Sequence, residues 1–232
     1  SKPFESRVEF AQTDFGKNHL SLKSGRPTAF SWPTLVRVGD EAARLAARRR
    51  GTEGTTGLSS PKRYLWDENE YKHGWRFSQQ YDRSDAEPRA LAAPFSLHID
   101  ERGEALFTLE EDDRLPVFEP FYSRSSVMTF MLTEVLAQAL LQINSSAQRV
   151  RQGHTNKPRR LSNIVLTVPP GMPLVERSLL SERLRQAIGL LWTSLDWYQG
   201  EEDPYALEPV ESSRMPESLR VPLPEFRVEW DE

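Results

Sequence analysis

Val38-Gly39-Asp40-Glu41-Ala42-Ala43-Arg44-Leu45-Ala46-Ala47-Arg48-Arg49-Arg50-Gly51 is the stretch on which the fold turns. A β-type run, Phe30 to Val38, stops at Gly39 and gives way at once to a helical run. Asp40 is placed to cap that helix, its acids lie in the first turn, its arginines in the last, and Gly51 ends it. Pro33 marks the incoming strand as an edge or bent strand. A strand feeding directly into a capped helix is a building unit of layered α/β domains.

On the N-terminal side, Arg7-Val8-Glu9-Phe10-Ala11 and His19-Leu20-Ser21-Leu22 alternate in polarity and predict strands, with Asp14-Phe15-Gly16 between them. On the other side a Gly/Thr-rich loop, Gly51 to Gly57, leads into Ser59-Ser60-Pro61-Lys62-Arg63-Tyr64-Leu65-Trp66-Asp67. Serine caps and proline at the first helical position predict a short helix there. Residues 68–122 form an insertion, irregular at first and then a hairpin, Phe95 to Leu109, around Asp100-Glu101-Arg102-Gly103. A long helix follows from about Arg124 to Gln152, with Met128, Met131, Leu132, Val135, Leu136, Ala139, Leu140 and Ile143 on one stripe. Val127, Phe130 and Leu141 fall outside the stripe and predict burial on most sides. Leu161 to Pro170 reads as a buried strand, and Pro173 to Trp197 as a second amphipathic helix. Residues 199–222 form a mobile acidic loop, and Pro224 to Trp230 a closing strand. The expected fold class is α/β, a mixed sheet with packed helices, over residues 1–232 as one unit.

Composition narrows the functions. Thirty Lys and Arg against 34 Asp and Glu leave a net charge of −4, so no overall basic field invites nucleic acid. With no cysteine, disulfides and thiolate metal sites are excluded. No apolar run approaches the roughly 18 residues of a membrane-spanning helix, so membrane insertion is not expected. Ser1 to Ser6 carries no signal-peptide pattern. The chain opens on serine and has its first methionine at Met128, which reads as a segment of a longer protein.

The candidate chemistry centres on residues 51–67. Cations in a first helical turn are unfavourable, yet Lys62 and Arg63 stand directly behind Pro61. With Ser59, Ser60 and free backbone N–H groups they would converge on one anion, such as a phosphate. The plain alternative is an exposed helix start with snorkelling side chains. Arg48-Arg49-Arg50 reads as solvated charge, and Glu110-Glu111-Asp112-Asp113 lacks calcium-loop spacing. His19, His73, His98 and His154 have no metal spacing, no serine sits in a nucleophile elbow, and the tryptophans read mostly as core.

Val38-Gly39-Asp40-Glu41-Ala42-Ala43-Arg44-Leu45 followed by Ser59-Ser60-Pro61-Lys62-Arg63-Tyr64-Leu65 resembles a segment of heat-shock chaperone ATPase domains. Asn163-Ile164-Val165-Leu166-Thr167-Val168-Pro169-Pro170 resembles a later strand of theirs. The closer resemblance is to the SrfB family of bacterial virulence-associated proteins. It rests on the stretch from Gly51 to Asp67, on Ser6 to Gln12, and on Phe226-Arg227-Val228-Glu229-Trp230-Asp231-Glu232.

This resemblance implies part of the first lobe of the actin/heat-shock-chaperone (ribonuclease H-like) ATPase fold. It implies Lys62 near the γ-phosphate and attacking water, and Glu232 near the metal-bound water cluster, with Ser59, Ser60 and Arg63 as phosphate ligands. Phosphoryl transfer needs such cations and a water-placing acceptor. Asp14-Phe15-Gly16-Lys17 does not match the superfamily's first phosphate loop. The implied cofactor is Mg-ATP in the full-length protein and none for this segment alone. The implied partners are flanking regions of the parent chain, and the location is bacterial cytoplasm, with secretion as the alternative. A second reading is a protein–protein interaction module without nucleotide chemistry, using residues 68–122 and 199–222.

Overall fold

The computed structural model describes residues 4–11, 35–48, 55–76, 98–114, 120–143, 146–151, 164 and 166–194. The predicted strands His19 to Leu22 and Pro224 to Trp230, the acidic loop 199–222, the glycines of residues 51–54 and Glu232 lie outside them.

At the centre is a three-stranded antiparallel sheet of β1 (Arg7–Phe10), β2 (Val36–Val38) and β3 (Gly57–Ser59), ordered β2-β1-β3. Val8 pairs with Val38 and Phe10 with Val36 on one side, and Arg7 with Ser59 and Glu9 with Gly57 on the other. Alternation sends Val8 and Phe10 to the same face, where both are fully buried. Phe10 lies 5.1 Å from Trp75, 6.0 Å from Tyr122 and 6.1 Å from Phe130 between ring centroids, a cluster that joins the sheet to the helical layer.

Glu9, on the central strand, is buried too. Its carboxylate accepts from Arg7 Nε at 3.0 Å and from Thr56 Oγ1 at 2.7 Å, so the buried charge is paired. Room for it comes from Gly57 on the neighbouring strand: a Cβ there would stand 2.2 Å from the Val8 carbonyl oxygen and 2.5 Å from Glu9 Cδ.

The strand-to-helix junction is as the sequence predicts. Val38 passes directly into α1 (Gly39–Arg48), which starts at a glycine with φ of +60° and packs Ala42 and Leu45 inward against β1 and β2. The long helix divides into α2 (Ser126–Ile143) and α3 (Ser146–Arg151). It begins two residues later than expected, because the Ser123 hydroxyl accepts the Ser126 N–H at 3.0 Å. Residues 125–131 are all buried, which matches the apolar side chains beyond a single stripe. The second long helix is α4 (Leu174–Ser194), and its Leu184, Ile188, Leu191 and Trp192 pack on Leu136, Ala137 and Leu140 of α2.

Two expectations are corrected. The hairpin Phe95 to Leu109 is reduced, among the described residues, to a tight turn closed by one bridge, Ile99 to Ala105, and the chain then coils into a 3-10 turn, Leu106–Thr108. Gly103, with φ of +84°, lies so close to Ser126 and Phe130 that the second arm docks on α2 and has no partner strand. Ile164 and residues 166–169 pair with no strand, and Leu166 packs its side chain against the core as an irregular segment. Among the described residues no helix is long and apolar enough to cross a membrane.

Replacing Gly57 by alanine forces Cβ into the Val8 carbonyl and the Glu9 carboxyl. It should destabilise the protein by about 1–3 kcal/mol, the usual scale of overpacking. Urea unfolding of Gly57→Ala checks this, and an unchanged midpoint would contradict the close approach described.

Candidate functional site

β3 runs into a short strap, residues 60–67, that carries the predicted anion-binding residues. It is a 3-10 turn, Pro61–Tyr64, with Pro61 at the first position as expected. The serines do not act as expected. Ser59 belongs to β3, and Ser60 makes no side-chain cap. Ser60 instead adopts φ 54° and ψ 58°, the one non-glycine residue with positive φ among the described residues. Such a conformation costs roughly 1–2 kcal/mol and persists only where its surroundings impose it. Here the Ser60 N–H donates to the Ser6 carbonyl at 2.7 Å, and the Ser60 carbonyl accepts from Arg63 N–H at 3.0 Å.

The far end of the strap is held on the start of α2. Ser125 Oγ donates to the Leu65 carbonyl at 2.7 Å and Ser125 N–H to the Asp67 carbonyl at 3.0 Å. Arg124 bonds the Asp67 carboxylate at 2.5 Å and lies 4.6 Å above the Tyr64 ring. Leu65 is buried as an anchor, whereas Trp66 turns outward and is 65% exposed, its Nε1 donating to the Arg63 carbonyl at 3.1 Å.

On this fixed backbone Lys62 is half-buried and Arg63 exposed. Lys62 has neither ion pair nor side-chain hydrogen bond among the described residues. The strap therefore brings Ser59, Ser60, Lys62 and Arg63 into one short segment, with no bond between Lys62 and either serine. Glu232, the fifth residue implied by resemblance, lies outside the described residues.

The fold around the strap has a residue series of great length. The family model for virulence factor SrfB matches residues 1–232. The chain belongs to the SrfB family. No curated protein and no solved structure matches it.

Beyond the strap, the SrfB chain places further chemistry that sequence reading missed. Arg183 of α4 is 3% exposed, and its NH1 bonds both oxygens of Glu104 at 2.6 and 2.7 Å while NH2 reaches Glu68 at 2.9 Å. Gln186 adds a bond to Glu104 at 2.9 Å. Nothing in the spacing of residues 68, 104 and 183 announces this triad, because it depends on tertiary contact alone. Near it, burial raises the Asp100 carboxyl above its ordinary value, against the opposing bond that Asp100 accepts from Glu104 N–H at 2.8 Å. Burial likewise raises the Tyr122 phenol and lowers His98. Among the described residues no group of His, Asp and Glu is arranged to hold a metal ion. Glu110, Asp112 and Asp113 are exposed.

Because Ser60 makes no side-chain cap bond, its glycine replacement relieves the left-handed backbone. Ser60→Gly should raise stability by about 1 kcal/mol. Thermal and urea unfolding read this directly, and a loss of stability would show that the hydroxyl matters more than the backbone.

Proposed function

We propose that this SrfB chain supplies Lys62 to a Mg-ATP site completed by other parts of the parent protein, with Arg63, Ser59 and Ser60 as lesser contributors. The observation that carries the reading is Lys62 itself: a half-buried cation without a counter-ion among the described residues, on a strap anchored at both ends. A lysine so placed presents a point charge to a phosphate without a large ordering cost. The strap also carries the one strained non-glycine residue described, two positions before the lysine, and strain of this kind gathers at working sites. The resemblance to chaperone ATPases supplies the nucleotide and the water-activating role of the lysine, while Glu232 is its proposed partner at the metal-bound water. Alone, the chain should bind ATP at about millimolar strength or weaker, as one lysine and a short turn allow.

A second reading, a protein-interaction module, draws on Trp66, whose exposed indole sits beside Arg63 on the same strap. Aromatic and arginine side chains of this kind are enriched in the centres of interfaces.

Calorimetric titration of Mg-ATP into this chain and into the longer parent protein separates the two. The nucleotide reading expects tight binding only in the longer protein. It also expects Lys62→Ala there to cut hydrolysis by about a hundredfold or more, as loss of a charge-stabilising group does. A folded parent protein that binds no nucleotide would sink the ATP reading and leave the interaction module.

A further inference from the structure

We propose that the cleft between the turn at Lys72–Arg76 and the segment Pro120–Phe121 is a binding site for a phosphate group, separate from Lys62. The cleft measures about 210 Å³, and Lys72, His73 and Arg76 contribute to its lining together with Trp75, Pro120 and Phe121. No acidic residue lines it. Three nitrogen-bearing side chains around one concavity, without a carboxylate to neutralise them, select an anion.

Its walls are fixed before any ligand arrives. Tyr71 N–H donates to the Phe121 carbonyl at 3.0 Å and Gly74 N–H to the Tyr71 carbonyl at 2.8 Å, tying turn and segment together. Arg76 N–H donates to the Thr55 carbonyl at 2.9 Å, and Trp75, fully buried, donates from Nε1 to the Tyr122 carbonyl at 2.7 Å. The Tyr71 ring stands 4.7 Å from Trp75 and 5.6 Å edge-on to His73, and its hydroxyl bonds Thr55 Oγ1 at 2.9 Å. Gly74 leaves the mouth open: a Cβ there would meet only the Pro120 carbonyl, at 3.9 Å. A rigid cleft bordered by exposed cations loses little order on binding.

Size and shape narrow the ligand. The volume is below the roughly 300–1,000 Å³ of sites that hold drug-sized molecules, so the cleft takes a group and not a whole nucleotide. Cationic donors on several sides suit the tetrahedral oxygens of phosphate better than the two coplanar oxygens of a carboxylate. The phosphate can be the free ion or the head of a small organic ester.

Calorimetric titration of the whole 232-residue chain with inorganic phosphate and with glycerol 3-phosphate, in low-salt buffer, tests the site. Lys72 and His73 are exposed, so the Lys72→Ala/His73→Ala double variant keeps the fold, with circular dichroism as the check. The double variant should lose about tenfold or more in affinity. Lys72→Arg should retain binding, and Lys62→Ala should leave it unchanged, which keeps this test apart from that of the ATP reading. Equal affinity for the two probes assigns the free ion, and tighter binding of glycerol 3-phosphate assigns an ester. Absence of binding by both probes overturns the proposal, as does parental affinity in the double variant or loss of binding in Lys62→Ala.

Discussion

The described fold is tied together through one guanidinium. Arg183 comes from α4, Glu104 from the turn that docks on α2, and Glu68 from the end of the strap. A buried arginine is tolerable only if its charge is met, and here two carboxylates meet it, one of them through both oxygens. The turn in its own right depends on Gly103, which lies against Ser126 and Phe130 where no side chain fits. Withdrawing Arg183 would leave Glu104, half-enclosed beside Gln186, without its main partner. The three segments would then lose their shared reason to stay in register. Packing of Leu184, Ile188 and Leu191 on α2 is what keeps Arg183 in place, so apolar and ionic contacts depend on each other.

Elements whose information is local were legible in the sequence. The Val38–Gly39 junction, the acids and arginines of α1, and the apolar series of both long helices each follow from propensity and period alone. Elements that depend on distant partners were not. Residues 105–109 alternate as a strand does, yet Gly103 directs them onto α2, and a 3-10 turn satisfies their backbone locally. Ser59 and Ser60 have the composition of helix caps. The pairing of β3 with β1 takes Ser59 into the sheet and turns Ser60 left-handed instead. Composition specified a helix start, and tertiary pairing decided which groups satisfy it.

The candidate site divides in the same way. Lys62 and Arg63 behind Pro61 stood out because cations oppose a helix dipole, an argument that needs no fold. What holds them, Ser6, Arg124, Ser125 and Glu9 with Gly57, is spread over 120 positions and has no motif. The Lys72-His73-Gly74-Trp75-Arg76 cluster did leave a signal, basic residues around a glycine with a tryptophan between them. It passed as part of an irregular polar stretch because its opposite wall, Pro120 and Phe121, is more than forty residues away in sequence.

How the charges are partnered separates structural cations from available ones. Arg7, Arg37, Arg124 and Arg183 each pair with a carboxylate, and in all four the planar fork reaches a group on a neighbouring segment or a neighbouring residue. Lys62 and Lys72 have no such pair among the described residues. A shortage of acids does not explain this, since Asp and Glu outnumber Lys and Arg by 34 to 30. Nor does a lack of nearby acids, because Asp67, Glu68 and Glu70 lie between the two lysines in sequence. Asp67 goes to Arg124 and Glu68 to Arg183, so the carboxylates close at hand are drawn into fixing the backbone. The arrangement spends arginine on holding the strap and leaves compact, strongly hydrated ammonium groups at its surface, which is the distribution expected where an anion arrives from outside.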